Sequence, residues 1–488
     1  MPILPTLWWL SFWTLVGLCV GSFLNAVIFR IPRGRSLRAP LWSACPYCRY
    51  RIAWFDNIPL LSFLLLRGRC RRCEVPIPTH YPVVEALMGV IVLMLVDAFL
   101  VGQVRTGMSR SPFGLTDRLS YDWPILVAHI ILFACLLAMS AIDLEHYWVD
   151  IRFTNLVTIA GFALHTIWTP RHSIDWPRPS APLAIMSLFA LVGLGLVWIV
   201  LTCQPHVDPE DFGEPLGQSD PAKSTDESAT GSPPPSLSSP SRIGVWLAMF
   251  ALAALFVDLS LAEAQVAPLR HTGRALVPLL FMFVLVLSQS IVLRESDHTI
   301  VAAIDEERST ARRMVLEEFA LLAPAIILAF VGLWIMNGGD HVEQINKSLH
   351  ATVRIDFLAM FRNWAPLEGF CTAAAGYVIS GALGWAVRIV FTLVFGKEAF
   401  GTGDIHMMAA AGCVAGWPVI VLGFFLTCGL ALAGWLIALP FKRTRALPLG
   451  PWLSLSFLVV VVFYEQILQW PMLANAIAAA RWLCGVRG

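Results

Sequence analysis

The sequence predicts an all-α, polytopic integral membrane protein with about twelve transmembrane helices, and three observations carry that expectation. Of its 488 residues, 57% are hydrophobic and only 14% are charged, where soluble domains carry about 25% charged residues. Apolar runs long enough to cross a hydrocarbon layer recur along the chain. Basic residues gather in alternate connectors, as the positive-inside rule requires of cytoplasmic loops. A net charge of +1 says nothing about partners. The lipid bilayer is the expected surrounding, and no nucleic-acid partner is expected.

The first apolar run covers residues 7–29, and its first basic residue, Arg30, comes after it. A cleavable signal peptide carries its charge before the apolar stretch, so this segment is expected to be a retained first helix with Arg30 inside. Gly17, Gly21, Ser22 and Asn25 lie along it. Small residues permit close helix packing, and Asn25 can bond to a neighbour. Further runs lie at 82–104, 123–142 and 152–168.

Between the first two helices, residues 30–81 hold ten Arg and only two acids, Asp56 and Glu74. Such a loop belongs on the cytoplasmic side. It contains Cys45–x–x–Cys48 and Cys70–x–x–Cys73, with 21 residues between the pairs. Each CxxC turn offers two thiolates to one point, and two such turns complete a tetrahedral four-thiolate Zn2+ site. Four thiolates close the coordination shell and leave no place for a reactive water, so the zinc is expected to be structural. The arginines would help offset the negative charge of that centre. The other seven cysteines (Cys19, Cys135, Cys203, Cys371, Cys413, Cys428 and Cys484) are scattered in or near apolar segments and are read as small packing residues rather than a disulfide framework.

Three regions are expected: 1–168, holding the first helices and the zinc loop; 169–369, an additional helical block; and 370–488. The block has four apolar runs, at 183–201, 243–261, 276–293 and 319–336. Its segment 204–242 is rich in Pro, Ser, Asp and Gly and is expected to be a disordered loop. Residues 294–318 are densely charged, as a surface helix is. Four helices are an even number, so the block leaves the orientation of the later helices unchanged. After 370–395 comes a pair of helices over 405–439, broken near Gly416, and a last helix over 452–468. Lys442, Arg443 and Arg445 mark the intervening inner loop.

Two aspartates stand where apolar helices meet a membrane face. Asp404 follows Gly401 and Gly403 at the entrance to one helix, and Asp143 closes another. For Asp404 the plain alternative is a helix N-cap; for Asp143 it is an interfacial charge at a helix end. A charge in lipid is costly, however, and marks a functional site by default. Asp143 also faces the unfavourable end of its helix dipole, which favours the protonated form. Counting helices places both acids at the same membrane face, although they lie 261 residues apart. Two aspartates in contact cannot both ionise easily and share a proton. The ionised one activates water while the protonated one polarises a peptide carbonyl, as in aspartic proteases. Which of the two holds the proton is not assignable, since such a pair titrates as a unit.

With these residues in hand, the chain resembles the type IV prepilin peptidases, bifunctional leader peptidase/N-methyltransferases of bacterial inner membranes. The matching stretches are residues 21–32, the four cysteines with 54–59, 67–70, 81–85, Ile142 and Asp143 with Asp150, Gly401 to Asp404 with Gly412, and 448–453. They cover about 15–168 and 370–470, so eight helices are family-like and about four are inserted. The resemblance implies removal of the leader peptide from type IV prepilins or type II secretion pseudopilins on the cytoplasmic side. Cleavage follows a glycine, and the new N-terminus, usually phenylalanine, is methylated from S-adenosylmethionine. It implies Asp143 and Asp404 as the catalytic pair and Cys45, Cys48, Cys70 and Cys73 as zinc ligands. Two positions depart from the pattern: His406 stands in place of Lys, and Val149 in place of Pro before Asp150. No glycine-rich βα unit for S-adenosylmethionine is visible. The competing readings are a presenilin-type intramembrane protease, which shares the Gly-x-Gly-Asp turn but not the zinc loop, and a non-catalytic transporter or assembly scaffold.

Overall fold

In a computed structural model, the described residues are 3–37, 42–102, 115–146, 149–168, 179–203, 242–263, 271–291, 310–337, 364–398, 400–440 and 448–471. They form α1 (Ile3–Arg30), the short α2 (Leu61–Leu65), α3 (His80–Val96, continued by a π turn over Asp97–Val101), α4 (Leu115–His146) and α5 (Ile151–Ile167). Then come α6 (Ala181–Cys203), α7 (Arg242–Glu263), α8 (His271–Ile291) and α9 (Ala311–Asn337). The C-terminal part has α10 (Ala365–Phe395), α11 (Thr402–Ala415), α12 (Trp417–Ala438), α13 (Gly450–Val462) and the short α14 (Tyr464–Leu468). Apart from α2 and α14, these are twelve helices among the described residues. Seven are long and apolar enough to cross a membrane, and four others are shorter apolar helices.

The helices sort by how much of their apolar surface the protein itself covers. In α3, 94% of the apolar window is buried, against 22% in α6 and 11% in α9. Thus α3 is the centre of the bundle, while Trp198, Ile327, Phe330 and Trp334 point outward. A helix apolar all round with one side uncovered is stable only in lipid. The close approach of α1 to α3 explains the glycines of the first helix. A Cβ at Gly17 would lie 2.8 Å from the Gly89 Cα, and one at Gly21 would lie 2.7 Å from the Glu85 Cα. Asn25 does make the expected bond, its Nδ2 donating to the Tyr81 carbonyl at 3.0 Å.

Several boundaries differ from those expected of the sequence. Helix α4 starts at Leu115 and runs through Asp122, which is buried and accepts a 3.1 Å hydrogen bond from the Trp168 indole. A polar residue with a partner need not end a helix. The same helix continues one turn beyond Ile142, so Asp143 lies in its last turn rather than after it. The last apolar run breaks at Phe463 into α13 and α14. The break at Gly416 is as expected, with φ +88° at that glycine. The segment 204–241 and residues 294–309 of the charged connector 294–318 lie outside the described residues, and 311–318 form the first turns of α9.

The helices of the stretch 169–369 pack as two pairs on different faces. Helices α7 and α8 lie against α1, α3 and α13, whereas α6 and α9 pair with each other and with α10. A buried ion cluster fastens the first pair: Arg274 of α8 reaches Asp97 at the end of α3 (3.1 Å) and Asp258 of α7 (3.5 Å). Charges in an apolar bundle persist only when paired in this way.

Candidate active site and metal centre

The loop between α1 and α3 folds as two copies of one turn. Residues Ala44 and Arg51 bridge in one, and Arg69 and Pro76 in the other. Cys45 N donates to Tyr50 O (2.9 Å) and Arg49 N to Cys45 O (3.0 Å); Cys70 N donates to Val75 O (2.9 Å) and Glu74 N to Cys70 O (3.0 Å). The residue after each second cysteine takes positive φ, +55° at Arg49 and +56° at Glu74. This curls each CxxC so that both thiols face inward. All four Sγ atoms lie within 4.8 Å of one another, with Cys45 to Cys73 at 3.8 Å and Cys48 to Cys70 at 4.0 Å. Disulfide sulfurs are about 2.05 Å apart, so these are thiols. Tetrahedral zinc with Zn–S bonds of about 2.3 Å demands sulfurs about 3.8 Å apart, close to the 3.8 and 4.0 Å of these two pairs. Cys45, Cys48, Cys70 and Cys73 therefore fit a structural zinc ion.

The thiols are not equivalent. Burial pushes Cys45 up to about 12. Burial also opposes ionisation of Cys70, but the backbone N–H groups of Cys73 and Arg72 outweigh it and bring that thiol down to about 7. The arginines mostly build the loop. Arg71 pairs with Asp56 at 2.5 Å, Arg51 lies over Trp42 at 4.7 Å and Arg72 over Tyr50 at 5.7 Å. The loop hangs on α3 through Glu85, whose Oε2 accepts from the Leu60 N–H at 2.8 Å. Leu60 has φ +61°, a strained conformation for a leucine that this bond helps hold.

The second centre is assembled from distant helices. Helix α11 packs against α4, α5 and α10. Gly401 is the N-cap of α11, and Asp404 is its third residue, with no side-chain cap bond at the N-cap. Asp404 is thus not the N-cap. Asp143 is buried and Asp404 half-buried, and the charge of Asp143 acts electrostatically on Asp404. Gly403 has a specific reason to be glycine: a Cβ there would lie 2.8 Å from the Val149 Cβ. The glycine admits Val149, on the connection between α4 and α5, rather than the other aspartate. His406 is half-buried two residues on. Asp150 caps α5, accepting from the Arg152 N–H at 2.8 Å. Burial opposes its ionisation, but the Arg152 guanidinium and that N–H outweigh it and hold the carboxyl below its usual range.

One site residue was not singled out by role from the sequence. Gly450, the first residue of α13, donates its N–H to Asp143 Oδ2 at 3.0 Å. A Cβ at this position would lie 2.7 Å from that oxygen. The N-terminal end of a helix favours negative charge, so α13 acts on Asp143 in the opposite sense to its own helix. Ser140 and Ser454 bond at 2.8 Å one turn away and hold α4 to α13. Beside Asp143 a cavity of about 140 Å³ opens between α3, α4, α8 and α13, its apolar wall including Leu87, Phe133, Leu144 and Pro451.

Of the remaining cysteines, Cys135, Cys371 and Cys413 are buried in packing positions, while Cys19 and Cys428 are exposed. Cys413 lies against Gly161, where a Cβ would meet its sulfur at 2.6 Å.

Fold and side chains together define a polytopic helical membrane protein with a four-cysteine cluster that fits a metal ion in one loop and two carboxylates at the ends of packed helices. Residues 15–99 match the family model of the Bacterial Peptidase A24 N-terminal domain. Over 149 residues the chain is 38% identical to the prepilin leader peptidase/N-methyltransferase of Myxococcus xanthus, an overlap of 30% of this chain and 38% of that protein. It is 37% identical over 166 residues to the type 4 prepilin-like proteins leader peptide-processing enzyme of Escherichia coli O78:H11, covering 30% and 54%. A prepilin leader peptidase/N-methyltransferase of Burkholderia pseudomallei is 29% identical over 222 residues, covering 41% and 62%. The chain thus spans between about two fifths and three fifths of the length of these relatives. No solved structure matches it. Over these stretches the chain is similar to members of the type IV prepilin peptidase family.

Proposed function

We propose that this protein is a membrane aspartic endopeptidase that removes the leader peptide from type IV prepilins or type II secretion pseudopilins. Asp143 and Asp404 are its catalytic pair, and the site lies at the cytoplasmic face of a bacterial inner membrane. What supports the reading is that two carboxylates 261 residues apart in sequence stand at the ends of helices that pack together, α4 and α11, with the charge of Asp143 acting on Asp404.

The chemistry follows from two acids sharing one proton. The ionised aspartate takes a proton from a water molecule, and the resulting hydroxide adds to the scissile carbonyl carbon. The protonated aspartate donates its hydrogen bond and then its proton to the carbonyl oxygen. Collapse of the tetrahedral intermediate breaks the C–N bond. The nitrogen leaves as an amine, carrying the proton that water gave up. Gly450 N–H, already bonded to Asp143, holds one carboxylate in place through these steps.

Zinc held by Cys45, Cys48, Cys70 and Cys73 would order the cytoplasmic loop and supply no step of the cleavage. Methylation of the new N-terminus rests on the relatives' names and on family resemblance. Among the described residues there is no βα unit to hold S-adenosylmethionine, and no step is assigned to it.

The test uses membranes holding the full chain and a prepilin with a Gly/Phe junction. The wild type shortens the prepilin by its leader, and D143N and D404N each leave it full length. Cleavage surviving in either variant at equal protein level would discard the pair.

A further inference from the structure

Helix α10 contains one cation, Arg388, inside an apolar span, and the side chain is only 4% exposed. A buried guanidinium has five donors and cannot lose its charge, so what it bonds to shows what it is for. Its Nε and Nη2 donate to the two oxygens of Glu318, each at 2.8 Å, in a fork-to-fork pair. Its Nη1 donates to the Phe400 carbonyl at 2.6 Å and to Glu398. These partners come from two different places. Glu318 is on α9, in the stretch that has no counterpart in the family motifs. Glu398 and Phe400 belong to the short link between α10 and α11.

That link leads directly into the Gly401 to Asp404 turn. Phe400 precedes the N-cap of α11, and Asp404 is four residues on. Fixing the Phe400 carbonyl fixes the peptide plane that enters Gly401, and with it the start of α11. A second contact acts at the other end of the link. Gly396 ends α10 in the left-handed conformation, φ +65°, and a Cβ there would lie 3.2 Å from Nη2 of Arg312, again on α9. The first turns of α9 therefore meet the link directly at Gly396, through Arg312, and indirectly at Phe400, through Arg388.

We propose that Arg388 and Glu318 are positioning residues for the peptidase. They make α9 part of the scaffold that sets where Asp404 stands relative to Asp143. The inserted pair α6 and α9 is then coupled to catalysis, not merely attached to the bundle. Lysine cannot replace Arg388, because a single ammonium cannot grip Glu318 with two parallel bonds and hold the Phe400 carbonyl at once.

This inference rests on the peptidase reading, and one experiment separates the two. The full chain is purified in detergent as wild type, E318Q, R388K and the control R313A, which removes an exposed Arg313–Glu317 pair on the same helix. Folded yield, zinc per chain, kcat, KM and the pH profile of kcat are measured with a prepilin substrate. A misplaced catalytic group loses about ten- to a hundredfold in rate. The expected result is a kcat loss of that size in E318Q and R388K, with KM within about twofold, a displaced limb of the pH profile and unchanged zinc. R313A behaves as wild type. A wild type that leaves prepilin intact overturns the peptidase reading itself. An active wild type with unchanged kcat and pH profile in E318Q overturns the positioning role alone. If R388K does not fold, E318Q, which keeps the side chain's size, decides. If E318Q does not fold either, the cluster serves stability and the proposal fails.

Discussion

The two centres of this protein are built on opposite principles. The cysteine centre is local: its four ligands lie within residues 45–73, and each half is a short turn closed by its own backbone bonds. The carboxylate centre is global. Asp143 comes from α4 and Asp404 from α11, with Gly450 of α13 on one side and Val149 from the α4–α5 connection on the other. The cysteine centre has the spacing that a metal ion would hold together. The carboxylate centre needs the whole bundle. Damage to the first should therefore cost stability of one loop, and damage to the second should cost chemistry in a protein that remains folded.

Substitutions can break that division. Structural zinc contributes on the order of 10 kcal/mol to folding of small zinc domains, so C45S should give the largest loss of protein. We expect metal analysis to fall from about one zinc per chain, with lower protein level and earlier thermal unfolding. The residual enzyme should still cut at the same bond. A shifted cleavage site would mean that the cysteine centre shapes the active site directly. G450A should do the reverse. Its methyl group would meet Asp143 Oδ2 at 2.7 Å, so the carboxylate or α13 must shift. The kcat should drop about ten- to a hundredfold, with zinc content and folded yield retained. Unaltered kcat would remove Gly450 from the account of the site.

A smaller effect sharpens the comparison. Asp150 caps α5 and pairs with Arg152. D150A should cost about 1 kcal/mol of stability, the usual loss of an N-cap, read as a modest fall in thermal midpoint with kcat little changed. A large kcat loss at preserved stability would place Asp150 in the chemistry.

This contrast also explains what could be read from the chain alone. The cysteine centre was legible because its pattern is local: two CxxC pairs in one Arg-rich loop specify their own geometry. The two aspartates stood out as isolated charges at helix ends, and the structure places them in the last turn of α4 and the first turn of α11. The supports of the carboxylate centre were not legible in the same way. Gly450 sits in a stretch already noted for its resemblance, but its role depends on α13 starting beside the C-terminal turn of α4, which no local pattern encodes. Arg388 did carry a signal, a lone cation in an apolar helix; its partners at positions 318, 398 and 400 come from a tertiary contact. Asp404 resembled an N-cap in sequence, yet Gly401 takes that place, because the cap is decided by backbone angles and not by residue type. Likewise Asp122 reads as loop but is buried in α4, satisfied by Trp168 from the end of α5.

Proximity of residues 143 and 404 is the claim on which the rest depends, and a chemical cross-link tests it without any substrate. The double variant D143C/D404C is oxidised in membranes, and disulfide-linked peptides are mapped by mass spectrometry. A linked peptide joining positions 143 and 404 is the expected result. If both introduced thiols react with a maleimide but no such link forms, the two side chains do not meet and the paired-carboxylate site is wrong.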